Sequence, residues 1–462
     1  MTNGSPLYTR VVANWLFPLH EKLKRHDSVA RRKALEQSEW LPTEEILRRQ
    51  LERLKQFLGE IGRQVPYYRE LFAAQGFDPG QLAGLADLEQ LPLLDKATIR
   101  EHTEALKRDG ADKLIRYNTG GSSGEPLVFY MGPDRVSHDV AAKWRATRWW
   151  DVDIGDRELV VWGSPVELGA QDRIRMLRDR LIRSELLPAF NMGDRDLDRF
   201  IDKIRHFRPT MLFGYPSAFA RIAERAQSTG IALDDLGIRV AFVTSERLYP
   251  EQKQLIGTVF GAPVANGYGG RDAGFIAHQC PQGGLHISAE DIVVELVDAQ
   301  GRQVEPGDSG EVVVTHMATG DFPFVRYRTG DIASYSTTAC ACGRGLPCLA
   351  TIEGRTTDFI TAMDGTVMHG LALIYVVRDL PGVAGFKIIQ ESLDRVRVQL
   401  VMEKGELPGD SRDRLVRGFR QRLGESVGVE IELVDRIAPE RSGKFRYVVS
   451  KVEANAGQGL PG

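Results

Sequence analysis

The chain has 462 residues, of which 42% are hydrophobic and 27% are charged, and its formal net charge is -3 at pH 7. This composition is typical of a globular protein with two or three domains, and the balanced charge argues against a nucleic-acid-binding protein. We expect no signal peptide and no transmembrane segment, because the chain has no apolar run of sufficient length. Four cysteines are too few for a disulfide framework in so long a chain, which indicates a reducing, cytoplasmic location.

The first part of the chain, residues 1–108, is predicted to be helical. Residues 11–26, VVANWLFPLHEKLKRH, form an amphipathic stretch that ends in basic residues. This stretch is more typical of a packing helix than of a helix lying on a membrane surface, which is the alternative. Further along, a core-facing stripe is predicted from leucines at helical spacing, namely Leu47, Leu51, Leu54 and Leu58.

Residues 115–130, IRYNTGGSSGEPLVFY, hold a run of glycines and hydroxyl residues between two strand-like stretches. Glycines let a backbone approach a ligand closely, and hydroxyl and N–H groups can surround anionic oxygens. The pattern predicts a phosphate-binding loop between two strands, and an ordinary hairpin turn is the alternative. The stretch is not a Walker A loop, because no Gly-Lys-Ser/Thr closes it, and Glu125 excludes the nucleophile elbow G-x-S-x-G.

Strand-like and helical segments alternate from residue 158 to residue 270. Strands are predicted at ELVVWG, MLFG, RVAFVTSE and VANGYGG, with helices at 194–207, SAFARIAERAQ and PEQKQLIGTVF. This alternation predicts an α/β domain with mostly parallel sheets and helices on both faces. After residue 285 the pattern changes to DIVVELV and EVVVTH, separated by a turn-rich segment, which indicates antiparallel hairpins.

A domain boundary is predicted near residues 354–358. It would divide the chain into a large N-terminal domain, 1–354, and a small mobile α+β lid domain, 355–462. Within the lid, RVRVQLV and VEIELV alternate as strands do, and Leu415, Phe419 and Leu423 mark one face of a helix.

Five short segments follow the glycine loop in a recognisable order. They are FGYPSAF with Tyr215, GYGGRDAG with Tyr268 and Asp272, FPFVRYRTGDIA with Asp331 in a turn, GRTTDFI with Arg355, and ERSGKFRYVVS with Lys444 in a loop. Together they resemble the adenylate-forming superfamily. GLHI at 284–287 and CACGR at 340–344 are most similar to its phenylacetate–coenzyme A ligase and CapK-type branch, and the resemblance covers nearly the whole chain.

The resemblance implies a two-step reaction. A carboxylate attacks the α-phosphate of ATP, pyrophosphate leaves, and a thiol, usually that of coenzyme A, then takes the acyl group. The residues that it implies for the β- and γ-phosphates are Thr119, Gly120, Gly121, Ser122, Ser123 and Gly124.

Other residues receive roles from the same resemblance. Tyr268, with Gly269, would pack against adenine, Asp331 would accept hydrogen bonds from the ribose, and Arg355 would reach ribose or phosphate. Asp272 would hold Mg²⁺, and Lys444 would stabilise charge between the carboxylate and the α-phosphate. The implied acyl pocket comprises Tyr215, Ser245, Gly267 and Ala273. A core aromatic, a turn aspartate and a solvated lysine are the alternatives for Tyr268, Asp331 and Lys444.

The chain departs from the superfamily pattern at three places. Leu127 stands where a lysine commonly follows the proline of the glycine loop, so Arg271 or Arg326 is expected to meet the phosphate charge. Asp272 replaces a longer glutamate as the metal-holding acid. Thr357 occupies the position of the usual hinge acid before Asp358.

The cysteines predict a separate metal site. Cys280 and His286 bracket one loop, and Cys340 and Cys342 lie in C-x-C-G-R. Three sulfurs and one imidazole form a tetrahedral zinc set, in which four protein ligands leave no open position and indicate a structural role. Cys348 competes with His286 and His278 is a further candidate, and unrelated reduced thiols are the alternative.

We therefore predict an ATP- and Mg²⁺-dependent ligase that joins a carboxylic acid, aryl or arylacetic by analogy, to coenzyme A. One alternative keeps the adenylation but transfers the acyl group to an amine or hydroxyl, or transfers AMP itself. Another is a catalytically degenerate partner protein, motivated by Leu127 and Asp272. A homodimer is possible, and the acid, the acceptor and the oligomeric state stay open.

Overall fold

The computed structural model describes residues 7–118, 127–162, 178–189, 192–355, 359–403, 405–437 and 446–452. The N-terminal part is helical, as predicted. Its helices are α1 (Leu7–Val11), which continues through a π-helical turn (Val12–Leu16) into α2 (Phe17–Leu23), then α3 (Ser28–Ser38), α4 (Thr43–Gln64), α5 (Pro66–Gln75) and α6 (Lys96–Glu101).

Helix α4 buries a face that shares Leu54 and Leu58 with the predicted stripe but does not include Leu47. Leu54 and Leu58 are fully buried, but Leu47 is 38% exposed. The buried face begins instead at Ile46 and continues through Gln50, whose side-chain amide donates to the carbonyl of Ala289 at 2.6 Å. Since neighbouring residues of a helix are rotated by about 100°, the burial of Ile46 turns Leu47 toward solvent.

The glycine loop is flanked by a hairpin of two strands, as the sequence predicted. Strand β1 (Ile115–Asn118) pairs antiparallel with β2 (Val128–Met131), and helix α7 (Pro133–Arg148) follows directly. The loop residues 119–126 lie outside the described residues.

The predicted parallel part and the predicted hairpin part belong to one continuous sheet of 11 strands. The strands are β3 (Glu158–Trp162), β4 (Ser184–Pro188), β5 (Met211–Gly214), β6 (Val240–Thr244), β7 (Val264–Gly270), β8 (Gly274–Gln279), β9 (Leu285–Ile287), β10 (Ile292–Val297), β11 (Ser309–His316), β12 (Tyr327–Tyr335) and β13 (Cys348–Arg355). Their order is β10-β11-β12-β13-β9-β8-β7-β6-β5-β3-β4. Strands β4, β3, β5, β6 and β7 are parallel, and every pair from β7–β8 onward is antiparallel.

From β4 to β7, the parallel strands are connected by α8 (Asp194–Phe207), α9 (Pro216–Ser228) and α10 (Pro250–Phe260). Their apolar faces form a core with the parallel strands, in which Phe200, Phe219 and Phe260 are at most 2% exposed. Burying such aromatic side chains is a large part of what holds helices onto a sheet. The predicted α/β architecture is thereby confirmed.

The described C-terminal residues form a unit with a four-stranded sheet, a separate two-stranded sheet and two helices. Its elements are β14 (Phe359–Thr361), β15 (Val367–His369), α11 (Leu371–Arg378), β16 (Val383–Ser392), β17 (Arg395–Met402), α12 (Ser411–Leu423), β18 (Gly428–Leu433) and β19 (Val448–Ser450). The sheet order is β18-β17-β16-β19. Leu415, Phe419 and Leu423 of α12 are at most 1% exposed, so the predicted helix face is buried in this core.

Membrane-crossing helices are not found among the described residues, since none is both long and apolar enough.

Candidate active site

The candidate site begins at the carboxyl ends of three parallel strands. The register pairs Gly214 of β5 with Val243 of β6, and Thr244 of β6 with Gly267 of β7. Tyr215 and Ser245 therefore leave their strands at the same edge of the sheet. At β7 the pairing changes from parallel to antiparallel, and such a change at the carboxyl edge is where open α/β sheets bind ligands.

Three residues of the predicted acyl pocket are constrained by tight packing or by their backbone conformation. Tyr215 is 2% exposed and stacks on Trp162, with ring centroids 4.6 Å apart. Ser245 has a φ of +71°, a left-handed backbone that is strained for a residue other than glycine. A Cβ at Gly267 would lie 2.6 Å from the Phe242 ring, so only glycine fits there.

Two residues of the predicted nucleotide site meet by a hydrogen bond. The Tyr268 hydroxyl on β7 donates to Asp331 Oδ2 on β12 at 3.0 Å, and it also lies 3.5 Å from the Thr329 hydroxyl. These residues are 63 positions apart in the chain. The fold thus brings together the tyrosine and the carboxylate that the resemblance assigned to adenine and ribose.

Asp331 does not lie in a turn, which corrects the sequence interpretation. It belongs to strand β12, where the pairing with β11 shifts register between Glu311 and Val313. Gly330, with a φ of +77°, supplies the left-handed residue in this irregular stretch. Across the next strand pair Asp331 lies opposite Arg355, so the backbone places the predicted arginine beside the predicted ribose carboxylate.

The predicted metal-holding acid lies in the tight turn between β7 and β8. Asp272 Oδ2 accepts a hydrogen bond of 2.7 Å from the hydroxyl of Tyr327, which is fully buried. The backbone N–H of Ala273 donates to Asp272 Oδ1 at 3.1 Å. Both contacts orient the carboxylate of Asp272, whose side chain is shorter than the glutamate that is common at this position.

The same turn contacts the start of the glycine loop. Arg271 Nη1 donates to the carbonyl of Asn118, the last residue of β1, at 3.3 Å. Leu127, which follows the loop, is fully buried and brings no charge. The sequence suggested Arg271 or Arg326 as the cation that meets the phosphate charge. Of these two, Arg271 lies next to the predicted phosphate loop.

Arg326 is a structural residue, and the suggestion that it meets phosphate charge is wrong. It is 2% exposed, and its guanidinium pairs with buried Glu295 at 3.0 Å. Two further nitrogens donate to the carbonyls of Leu91 and Gly301, each at 2.7 Å. Burial raises the pKa of Glu295 to about 7, and Arg326 opposes that rise.

A second buried arginine supports the site and was not singled out from the sequence. Arg135, on α7, is 2% exposed and donates to the carbonyls of Arg271 at 3.0 Å and Asp272 at 3.3 Å. Asp139, one turn along α7, holds its Nε with both carboxylate oxygens at 3.0 Å. The i, i+4 spacing of Arg135 and Asp139 is a visible signal, but their contact with the turn is not visible in the sequence.

The four predicted zinc ligands converge elsewhere on the sheet. The ligand atoms of Cys280, His286, Cys340 and Cys342 all lie within 4.8 Å of one another. Cys280 Sγ and Cys340 Sγ are 3.6 Å apart, too far for a disulfide and near the roughly 3.8 Å that two sulfurs adopt around tetrahedral zinc. A Cβ at Gly284 would lie 2.6 Å from Cys340 Sγ, so the cluster needs glycine beside it.

The geometry favours His286 over Cys348 and His278 as the fourth ligand of the predicted zinc site. Its Nε2 faces Cys342 Sγ at 3.2 Å, inside the cluster. Its Nδ1 faces the Leu346 carbonyl and Cys348 Sγ, both at 3.2 Å, so Cys348 lies behind the imidazole. His278 is not in the cluster, because its ring packs between Phe242 and Phe275.

The cluster is held against the N-terminal helices. Glu39, 3% exposed, accepts a hydrogen bond from Arg344 at 3.0 Å and another from the Trp149 indole at 3.0 Å. The Trp149 ring packs edge-on against His286. Burial lowers the pKa of His286 to about 4, so its imidazole is neutral at pH 7, which is the form that binds a metal.

Comparison with known proteins agrees with this geometry. The AMP-binding enzyme family matches residues 186–319, and the CapK C-terminal domain family matches residues 360–451. The first match contains the parallel strands β5, β6 and β7 and the Asp272 turn, and the second spans the C-terminal four-stranded sheet. Together the two matches support the adenylate-forming superfamily, in its CapK and phenylacetate–coenzyme A ligase branch.

Individual relatives within the superfamily are distant. Protein CapK of Staphylococcus aureus is 23% identical over 87% of this chain and 89% of its own length. A phenylacetate–coenzyme A ligase of Thermus thermophilus is 26% identical over 70% of this chain and 73% of its own. The fold resembles 2-hydroxyisobutyryl-CoA ligase in the postadenylation state, with a TM-score of 0.72, 22% identity and coverage of 90% and 91% of the two chains.

Part of the superfamily's expected site lies outside the described residues. This applies to the glycine loop from Thr119 to Gly124, to the hinge residues Thr357 and Asp358, and to Lys444. The following strand is described, and Tyr447 packs against Tyr249 with ring centroids 5.5 Å apart. Tyr249 follows Ser245 closely, so the chain just beyond Lys444 reaches the carboxyl edge of the sheet.

Proposed function

We propose that this protein activates a carboxylic acid with ATP to an acyl-adenylate and then transfers the acyl group to coenzyme A. The observation that carries the proposal is the hydrogen bond of 3.0 Å between Tyr268 and Asp331, at the sheet edge where the Asp272 turn meets the start of the glycine loop. The family matches and the ligases among the relatives support the same chemistry.

The reaction would proceed by two substitutions. A carboxylate oxygen of the acid attacks the α-phosphorus of ATP, and the bond to the pyrophosphate oxygen breaks. The thiolate of coenzyme A then attacks the acyl carbon, and AMP leaves with the oxygen that linked it to the acyl group. The protein's part is to orient the reactants and to offset developing charge.

Named residues would divide this work. Asp331 would accept both ribose hydroxyls while Tyr268 packs against adenine, and Arg271 would face the phosphates. Asp272 fits a Mg²⁺ ligand because a carboxylate oxygen is a donor that this cation prefers, and Mg²⁺ would neutralise phosphate charge there. Lys444 would act at the α-phosphate, and Tyr215, Ser245 and Gly267 would line the acyl side.

One assay tests the proposal against both alternatives. Pyrophosphate release is measured over a panel of carboxylic acids, including aryl and arylacetic acids, with and without coenzyme A. We expect release with at least one acid and thioester formation when coenzyme A is added. Release without thioester would indicate an amine, hydroxyl or AMP-transfer reaction, and no release with any acid would indicate a degenerate partner protein.

Asp331→Ala should weaken ATP binding by about tenfold or more, because hydrogen bonds to a charged group contribute roughly 1.5–3 kcal/mol each. The dissociation constant is measured by calorimetry, with circular dichroism to verify folding. Asp298→Ala is a matched control, because Asp298 is a turn aspartate that accepts from the N–H groups of Gln300 and Arg302. An unchanged ATP affinity in Asp331→Ala would reject the ribose role.

Arg135→Met should raise the Mg²⁺ concentration for half-maximal pyrophosphate release by about tenfold. The reason is that the carbonyls of Arg271 and Asp272 lose their donor, and a shift of the turn misplaces the Asp272 carboxylate. Arg135→Lys should recover little, because an ammonium lacks the fork that reaches both carbonyls and Asp139.

Arg326→Met is the control for Arg135→Met, because it also replaces a buried arginine by methionine, and this arginine contacts Glu295 rather than the Asp272 turn. It should destabilise the fold by about 3–5 kcal/mol, because Glu295 is left buried without its partner. Its Mg²⁺ dependence should equal that of the unaltered protein. Equal Mg²⁺ shifts in both methionine variants would assign Arg135 a purely structural role.

We also propose a structural zinc ion bound by Cys280, His286, Cys340 and Cys342. Four ligands with interatomic distances near those of a tetrahedral site support it, and zinc would supply a rigid link between the β8–β9 turn and the loop before β13. A cytoplasmic location stays a prediction from the low cysteine count. A homodimer stays a prediction for solution measurement.

A further inference from the structure

The N-terminal helix has an apolar face that points into solvent. Its inner side packs as a core helix does, with Phe17 edge-on against Trp144 at 5.2 Å. Its outer side carries five large apolar residues, namely Leu7 at 74%, Val11 at 39%, Trp15 at 74%, Leu19 at 57% and Leu23 at 77% exposure. We call these five residues the outer apolar face. Single exposed apolar residues are common, but a contiguous set indicates an interaction surface.

The five residues are spaced by four positions throughout, so they follow one side of the helix as a stripe. In an α-helix such a stripe drifts by about 40° at each step. The π-helical turn Val12–Leu16 lies in the middle of the stripe and has more residues per turn, which reduces the total drift.

Cations accompany the stripe. From Leu7 to Arg25 the exposed charged residues are all basic, namely Arg10, Lys22, Lys24 and Arg25. The acid of this segment, Glu21, is 3% exposed and accepts a hydrogen bond from the Ser28 hydroxyl at 2.7 Å. The surface is therefore both apolar and positively charged.

A neighbouring segment extends the same surface. The Tyr8 hydroxyl donates to the carbonyl of Leu181 at 2.8 Å, and the Arg183 guanidinium lies 3.9 Å above the Tyr8 ring. Leu181 is 46% exposed, and Arg180 beside it is exposed as well. The segment thus adds one leucine and further positive charge next to Leu7.

We propose that the outer apolar face docks on the surface of an anionic phospholipid bilayer. Leucine and tryptophan side chains would enter the headgroup and acyl boundary, while the lysines and arginines meet lipid phosphates, as in helices that lie in a membrane interface. A second copy of this chain is a poorer partner, because an isologous contact would bring the basic residues Arg10, Lys22 and Lys24 of both copies together. This binding is independent of the ligase reaction proposed above.

The test is sedimentation of the full-length protein with vesicles. Vesicles of phosphatidylcholine with about 30 mol % phosphatidylglycerol should bind it, and pure phosphatidylcholine vesicles should bind it at least tenfold more weakly. Leu19→Glu combined with Leu23→Glu should reduce binding at least tenfold, and so should Lys22→Glu combined with Lys24→Glu. Brominated lipid should quench the emission of Trp15, and the quenched fraction should fall in Trp15→Phe.

The control is Leu393→Glu, which places a charge at another exposed leucine, 42% exposed, in the C-terminal part. It should bind vesicles as the unaltered protein does, and pyrophosphate release should be unchanged in all these variants. The proposal is overturned if the unaltered protein binds neither kind of vesicle, or if the leucine variants bind as well as it does. It is also overturned if light scattering finds a dimer that the same leucine variants dissociate while vesicles bind nothing.

Discussion

Lys444→Ala should reduce the rate of acyl-adenylate formation by a factor on the order of 10² or more. The reason is that removing one preorganised electrostatic contact from an active site causes a rate loss of this size in other enzymes. Lys444 would stabilise charge only while the carboxylate attacks the α-phosphate. If the C-terminal domain rotates between the two half-reactions, the lysine is distant when the thiol attacks. Thioester formation from pre-made acyl-adenylate should then stay near that of the unaltered protein.

The chain that follows Lys444 is held by aromatic contacts. Tyr447, three residues after Lys444, packs against Tyr249 and Phe386, which anchors the strand that follows the lysine. Lys451→Ala is the matched control, because that lysine lies in the same part of the chain and pairs with Glu391. It should leave both half-reactions unchanged. If Lys444→Ala lowers the rates of both half-reactions equally, the moving-lid role is rejected. If it lowers neither rate, Lys444 is a solvated surface lysine.

Cys342→Ser should remove most of the bound zinc and lower the melting temperature by about 5–10 °C. Metal-binding energy is folding energy in such sites, and each kcal/mol lowers the melting temperature by about 1–2 °C in a chain of this length, because the entropy of unfolding grows with the number of residues. Elemental analysis after purification without a metal-affinity step should find about one zinc per chain, since the four ligands bind a single ion. A metal-free protein of full stability would contradict the proposal.

Cys348→Ser provides the matched control for the zinc site. Its sulfur contacts His286 Nδ1, on the side of the ring opposite to the Cys342 contact. The variant should therefore keep its zinc, although the packing behind the imidazole is altered. Loss of zinc in Cys348→Ser would mean that Cys348 completes the ligand set in place of His286.

Local patterns were sufficient for most elements and for several site residues. The helix predicted at 194–207 has those bounds, and the strands that flank the glycine loop pair as a hairpin. Hydrophobic periodicity and turn residues predict such elements because they report the environment of one segment at a time. The order of the short motifs indicated the superfamily, and Tyr268 and Asp331 do meet.

Contacts between distant segments decided the rest. Arg135 and Asp272 are 137 positions apart, and no local pattern relates them. From the sequence, Arg326 resembles a phosphate-binding residue because it precedes Asp331 by five positions, yet its ion pair with Glu295 on β10 fixes it in the core.

Residue types and spacing were enough to propose a zinc site, because three cysteines and a histidine on two loops are an uncommon combination. Whether His286 or Cys348 completes it depends on the direction of each side chain. Strand pairing places Cys348 opposite His286, and the ring turns Nε2 toward Cys342. Side-chain direction comes from packing across strands, such as the Trp149 ring against His286, and that packing exists only in the folded chain.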